Sequence, residues 1–239
     1  MKVPLKSRAL PAVAGIAVLV LHLSACDLVK RYRAGPPEEH VARAVQERWA
    51  APGRPFLDGL AGTDTVASVK ATGARSWDVA VMPLGGGSPT SWTLEVTRVE
   101  VFPTFPGPAF SQQLADRARE LGMRTFMPPE VTSELTEGSI LSVADVEVRY
   151  GRADRSGRNT ATRVAYLVPG PEGSDPVWRI LGVSRTSNVL VQALRTVTDD
   201  MLTKDDRVMS CMGTESPVGV RRAVQLACVR KVWAAEFGR

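Results

Sequence analysis

The sequence is poor in the side chains that most enzymes recruit. Its 239 residues include only 2 histidines and 3 cysteines, and aromatic residues make up 6%. One histidine, His22, lies in an apolar stretch near the start, which leaves His40. Multi-histidine zinc sites are thereby excluded, and any Ser-His-Asp or Cys-His arrangement has to be built on His40. Ser-x-x-Lys, Gly-x-Ser-x-Gly, the phosphate-loop Gly-Lys-Ser/Thr and His-Glu-x-x-His are all missing. Carboxylate-pair chemistry stays open, because acids are plentiful and their pairing is spatial. A long hydrophobic run is missing too: Leu10 to Leu23 is well short of the about 20 apolar residues that a membrane span needs.

What is present at the start is an export signal. Met1 to Arg8 carries Lys2, Lys6 and Arg8 with no acid, and the apolar run follows at once, interrupted only by Gly15 and His22. The run ends in Leu23-Ser24-Ala25-Cys26. Small residues let a backbone enter a protease cleft, and a thiolate is the natural nucleophile toward a lipid donor. In these positions the chain resembles bacterial lipoproteins, whose lipobox is an aliphatic residue, two small residues and Cys. The resemblance covers residues 1–26 and implies that 1–25 are removed and that Cys26 is diacylated through its sulfur. It implies nothing about the fold downstream.

Asp27 follows the lipobox cysteine. In many Gram-negative lipoproteins an Asp there marks retention at the inner membrane, with the outer membrane as the destination where that rule does not apply. Lys30, Arg31 and Arg33 come next, either as contacts to anionic headgroups or as a solvated tether. Residues 26–37 form that tether, and the Pro36-Pro37 pair keeps it short. Without Lys2, Lys6 and Arg8, 27 basic residues face 25 acids, so the net charge of +5 falls to +2. The basicity therefore does not argue for a nucleic-acid partner.

With Cys26 taken by lipid, Cys211 and Cys228 remain, in a compartment where disulfides persist, and a bridge between them is expected. Neither belongs to a Cys-x-x-Cys, which argues against redox catalysis.

Further along, Glu38 to Ala51 reads as an amphipathic helix, with acids in its first turn, a Val41-Val45-Trp49 stripe and a Pro52-Gly53 stop. His40 is one residue off that stripe and belongs at the surface or boundary. Strand patterns follow at Thr65–Thr72, Ser76–Met82 and Thr90–Phe102. In the last of these Trp92, Leu94 and Val96 share one face while Val99 and Val101 take the other phase, which asks for a bulge near Thr97-Arg98. Gly85-Gly86-Gly87-Ser88-Pro89 lies between two strand patterns, so it reads as a hairpin loop rather than a phosphate cradle, which needs a following helix. Phe102 to Pro108 is a proline-rich connector.

In the second half, Ser111 is expected to cap a helix with Phe110, Leu114, Ala118 and Leu121 on one side and Gly122 at its end. Ser139–Tyr150, Thr160–Val168 and Pro176–Arg185 suggest a meander. Arg149, Arg152, Arg155, Arg158 and Arg163 crowd one hairpin against Asp154 alone, as an anionic-surface contact or as a solvated turn. Ser187 is expected to cap a helix carrying Leu190, Leu194, Val197 and Met201. Asp199, Asp200, Asp205 and Asp206 lack the Gly and Glu of a calcium loop and read as a solvated acidic turn. Ser216-Pro217 is expected to open a last helix with a Leu226, Val229, Trp233 and Phe237 stripe, pinned by the disulfide to the loop before it.

The expected fold is α+β, helices packed on antiparallel curved sheets. One arrangement is two helix-plus-three-strand modules, 38–102 and 109–203, followed by a disulfide-pinned helix in 204–239. Such modules resemble cystatin or nuclear-transport-factor folds in element order, which carries no function. The expected role is a non-catalytic lipoprotein on the periplasmic face of the inner membrane that binds or scaffolds an envelope protein, with no cofactor, no metal and no catalytic residue. Two alternatives stand beside it: binding of a small apolar or lipid ligand in a curved-sheet cavity, and a carboxylate-dependent cell-wall or glycan hydrolase.

Overall fold

The computed structural model describes residues 38–59, 62–105, 107–123, 133, 135–137, 140–170, 175–180, 185–213 and 219–238. Cys26, Asp27, Lys30, Arg31 and Arg33 lie outside them, as do Ser216 and Pro217. Gly35–Arg239 forms one compact unit. Its fold is α+β, built on a curved, half-barrel antiparallel sheet of six strands in the order of the chain. These are β1 (Thr65–Gly73), β2 (Ser76–Met82), β3 (Thr90–Pro103), β4 (Ser142–Arg152), β5 (Asn159–Val168) and β6 (Val177–Ile180). The described helices are α1 (Glu38–Trp49), α2 (Pro108–Glu120), α3 (Arg185–Lys204), α4 (Asp206–Met212) and α5 (Arg222–Phe237). Each half of the chain contributes three strands to the same sheet, joined through the β3–β4 pairing.

Two cores lie on opposite faces of this sheet. On one face α1 buries Val41, Val45 and Trp49 against Val79, Val81, Leu94, Val96, Val146, Val148 and Trp178. On the other, α2, α3 and α5 bring Phe110, Leu114, Leu190, Leu194, Val229 and Trp233 to Phe102, Val143, Val164 and Tyr166. Alternating strand side chains divide between the two cores. Near Ser142–Val146 both faces are covered, and five successive residues are buried.

The bulge expected near Thr97-Arg98 is present. The β3–β4 register slips between Val96 and Arg98, leaving Thr97 as the extra residue. Its hydroxyl donates to the Glu147 carboxylate at 2.7 Å. Before the bulge Leu94 and Val96 face α1; after it Val99 and Val101 do, while Glu100 and Phe102 turn to the helix layer.

A short turn, Phe56–Gly59, connects α1 to the sheet. Within it Leu57 and Asp58 both adopt left-handed backbone, φ 55° and 53°. Such a conformation costs non-glycine residues about 1–2 kcal/mol each. Two contacts offset it: Leu57 is fully buried, and the Asp58 carboxylate accepts from Arg48 Nε at 3.0 Å and Trp49 Nε1 at 3.2 Å.

Two capping expectations are corrected. Helix α2 starts at Pro108, after Gly107 with φ 111°, because proline suits a first helical position and glycine tolerates that turn. Ser111 is thus inside the first turn, and its hydroxyl donates back to the Pro108 carbonyl at 3.1 Å. Ser187 is likewise inside α3, which begins at Arg185. Gly122 ends α2 with φ 79°, as expected. Strand β6 spans Val177–Ile180 within the Pro176–Arg185 pattern, whose last residue already belongs to α3, and the last helix starts at Arg222 rather than at Ser216-Pro217, since residues 219–221 before it are not helical.

Candidate functional site

Among the described residues an open trough of about 770 Å³ lies in the helix layer. Three long helices and the start of a short one border it. Phe110 and Leu114 of α2, Val197 and Met201 of α3, and Trp233 and Phe237 of α5 supply its apolar surface. The aromatic rings are locked edge to face: Phe110 lies 5.2 Å from both Trp233 and Phe237, centroid to centroid. This fixes the helices against one another and leaves little freedom in the floor.

Above the apolar floor the walls are charged. Arg117 holds Asp200, with Nε at 3.0 Å and Nη2 closer, and reaches Glu120 at 2.6 Å. Lys204 meets the other oxygen of Asp200 at 2.7 Å. Burial pushes the Asp200 carboxyl up, but the hydrogen bonds from Lys204 and Arg117 outweigh it and hold the group below its ordinary range. Asp205 caps α4 by accepting from the Arg207 amide at 2.9 Å, and the Arg207 side chain returns to it at 2.7 Å. That pairing holds the Asp205 carboxyl low as well. Arg207 also spans to Glu236 of α5 at 3.5 Å.

A solvated acidic turn is therefore not what Asp199, Asp200, Asp205 and Asp206 form. Asp200 clamps α3 to α2, Asp205 starts α4, and Asp199 takes Arg222 of α5 at 2.8 Å. Asp206 alone of the four makes no ion pair among the described residues. Asp199 and Asp200 were misread because Arg222 and Arg117 are distant in sequence and invisible to local patterning.

Behind the trough, and not lining it, two carboxylates are buried between the sheet and the helices. Glu100 of β3 and Asp145 of β4 are cross-strand partners, 7% and 2% exposed. Three arginines neutralise them. Arg195 of α3 donates to Glu100 at 2.9 Å and also to Asp145. Arg98 reaches Asp145 at 3.1 Å, and Arg222 of α5 reaches Glu100 at 2.6 Å. Burial alone would raise the Glu100 carboxyl, yet the hydrogen bonds from Arg222 and Arg195 win and lower it. A general acid needs the opposite, a raised value and an open cleft. The cluster instead ties two strands to two helices.

The remaining expected sites fall as follows. Cys211 of α4 and Cys228 of α5 are at disulfide distance, with Cα atoms 5.7 Å apart, so the bridge joins two helices rather than a helix and a loop. His40 is exposed on the first turn of α1. Arg149, Arg152, Arg155 and Arg158 sit at the β4–β5 hairpin end. There Arg149 lies 3.8 Å from Glu95, Arg152 pairs with Asp154 at 2.8 Å, and Arg158 donates to the carbonyls of Arg152 and Arg155. Arg163 is not part of that tip: its guanidinium sits 4.8 Å over the Trp49 ring, on the α1 side of the sheet.

Among the described residues no group of three or more His, Cys, Asp or Glu is placed to hold a metal ion, and no helix is long and apolar enough to cross a membrane. Compared with protein-family models, curated proteins and solved structures, the chain matches none at a significant level.

Proposed function

We propose that this protein is a non-catalytic lipoprotein of the cell envelope, held through Cys26 and the Asp27 signal at the periplasmic face of the inner membrane, where it binds or scaffolds another envelope protein. The observation that carries the reading is the trough: a preformed apolar floor with a charged rim, across which Arg117–Asp200 and Arg207–Glu236 pair one helix with another. An interaction surface requires that kind of rigidity. The paired acids Glu100 and Asp145, which a carboxylate-dependent hydrolase would need in a cleft, are neutralised behind it. A curved-sheet ligand cavity finds less support than the trough, whose described walls are helices.

The test is photocrosslinking of the full chain in cells that make it, with a benzophenone residue placed at Gln113 on the trough and, separately, at Lys70 on β1. A defined envelope protein captured from Gln113 supports the reading. Absence of any protein adduct from both positions removes it.

A further inference from the structure

Resting on the reading that this chain binds a protein, we infer that the trough receives a basic amphipathic helix of its partner. Charge carries the argument first. Among the described residues the lining holds six carboxylates and three cations, in a chain whose net charge is +5. Each of the three cations is already committed: Arg117 to Asp200 and Glu120, Lys204 to Asp200, and Arg207 to Asp205 and Glu236. Asp116 is met by Arg119 just outside the lining, so a smaller excess of negative charge is left on the rim, most openly at Asp206, exposed and in no ion pair among the described residues, and also at the exposed Glu120. That excess attracts cations and repels lipid phosphates and acidic peptides.

Shape and floor chemistry select the form of the cation. The trough is open and edged by helices, and Phe110, Met201 and Phe237 are among its apolar lining. A helix of about 10 Å diameter, with apolar side chains at i, i+3, i+4 and i+7, meets such a lining with one stripe. Lys and Arg flanking the stripe would lay their methylene stems along the walls and bring their charged ends to the rim carboxylates. Thus the apolar stripe supplies affinity, while the flanking charges set orientation and reject acidic competitors.

The unit Gly35–Arg239 holds both cores, the complete sheet and the Cys211–Cys228 pair, so it can be tested as a piece. Three fluorescent peptides of about four helical turns are titrated against it. The first carries a Leu stripe flanked by Lys and Arg, the second the same stripe flanked by Glu, and the third the basic flanks with Ser in place of Leu. Saturable binding of the first is expected, weakened at least about tenfold by either change and by molar salt. Glu120→Lys combined with Asp206→Lys should invert the preference between the first two. If that pair does not fold, Gln113→Lys at an exposed position should by itself weaken the basic peptide. Equal binding of the basic and acidic peptides, binding of neither, or indifference of the preference to both sets of variants overturns the inference. The crosslinking separates this failure from that of the broader reading. A protein adduct from Lys70 without basic-peptide binding preserves protein binding and overturns only the trough as its seat; no adduct and no peptide binding overturn both.

Discussion

Arg195 of α3 donates to Glu100 and Asp145 together, the two carboxylates that face each other across β3 and β4. Without it, Arg98 would still meet Asp145 and Arg222 would still meet Glu100, but no cation would bridge the two like charges across the strands. Arg195→Ala is therefore expected to lower unfolding stability by about 2–3 kcal/mol, reduced from the cost of a fully buried pair by the partial exposure of the arginine. Adding Asp145→Asn should cost less than the sum of the single changes, with a coupling on the order of 1–2 kcal/mol. Urea denaturation of the four members of the cycle measures this; strict additivity would show that Arg195 and Asp145 do not act together.

The same cluster makes stability depend on pH. In the folded protein the Glu100 carboxyl lies below its ordinary value, because the hydrogen bonds from Arg222 and Arg195 outweigh its burial. Its contribution is complete above the ordinary carboxylate range and is lost as pH falls through that range and below it. Unfolding midpoints should decline on acidification, and Glu100→Gln, less stable at neutral pH, should decline less steeply. Parallel curves for the two proteins would disprove the assignment.

Reduction should act on one end of the molecule. Cys211 is exposed and Cys228 buried, at a sequence separation of 17. In the chain-entropy picture, opening that loop costs about 3 kcal/mol. Hydrogen exchange in Cys211→Ser/Cys228→Ser is expected to rise first in α4 and α5, which would then be joined by the Arg207–Glu236 pair and the packing of Val208 in the shared core. Uniform acceleration, including α1 and β2, would contradict a local role.

At the β4–β5 hairpin a methyl group has no room. A Cβ on Gly151 would come 2.7 Å from the Gly157 carbonyl oxygen and 2.9 Å from Arg158 Cδ. Gly151→Ala should destabilise the protein by about 1–3 kcal/mol. Removing the arginine as well, in Gly151→Ala/Arg158→Ala, should not restore stability, because the nearer obstacle is backbone. Thermal unfolding of both variants decides it.

Anchoring is tested at Cys26. Cys26→Ala should leave the protein unprocessed or release it from membranes, as fractionation and the mass of the mature chain would show. Unchanged partition and processing would remove the lipoprotein reading.

Much of the sheet was legible in the sequence. Ser76–Met82 alternates cleanly because β2 has one covered face, and the phase change from Val96 to Val99 signalled the bulge at Thr97. Helix starts were harder to read: Ser111 and Ser187 look like caps locally, but Pro108 and the longer α3 begin upstream. The candidate site was mostly illegible. Glu100 and Arg98 occupy what seems the wet side of an alternating strand, and only the helices arriving from residues 195 and 222 turn it inward. One clue was available, an Asp145 set within the apolar run Val143–Val146, where a lone acid asks for a distant cation.

Thr97 sets the parity of everything after it on β3. Were Thr97 to take a regular place in the ladder, with no bulge, Val99 and Val101 would face the layer of α2, α3 and α5, while Glu100 and Phe102 would be driven toward α1. The arginines on α3 and α5 would then have no carboxylate at β3 to meet. The bulge at a single threonine thus decides which helices the strand can accept: deleting the residue would leave Val96, Arg98 and Val99 opposite Val148, Glu147 and Val146 in an unbroken register with every later face kept, whereas straightening the bulge around it would exchange the partners of the two cores.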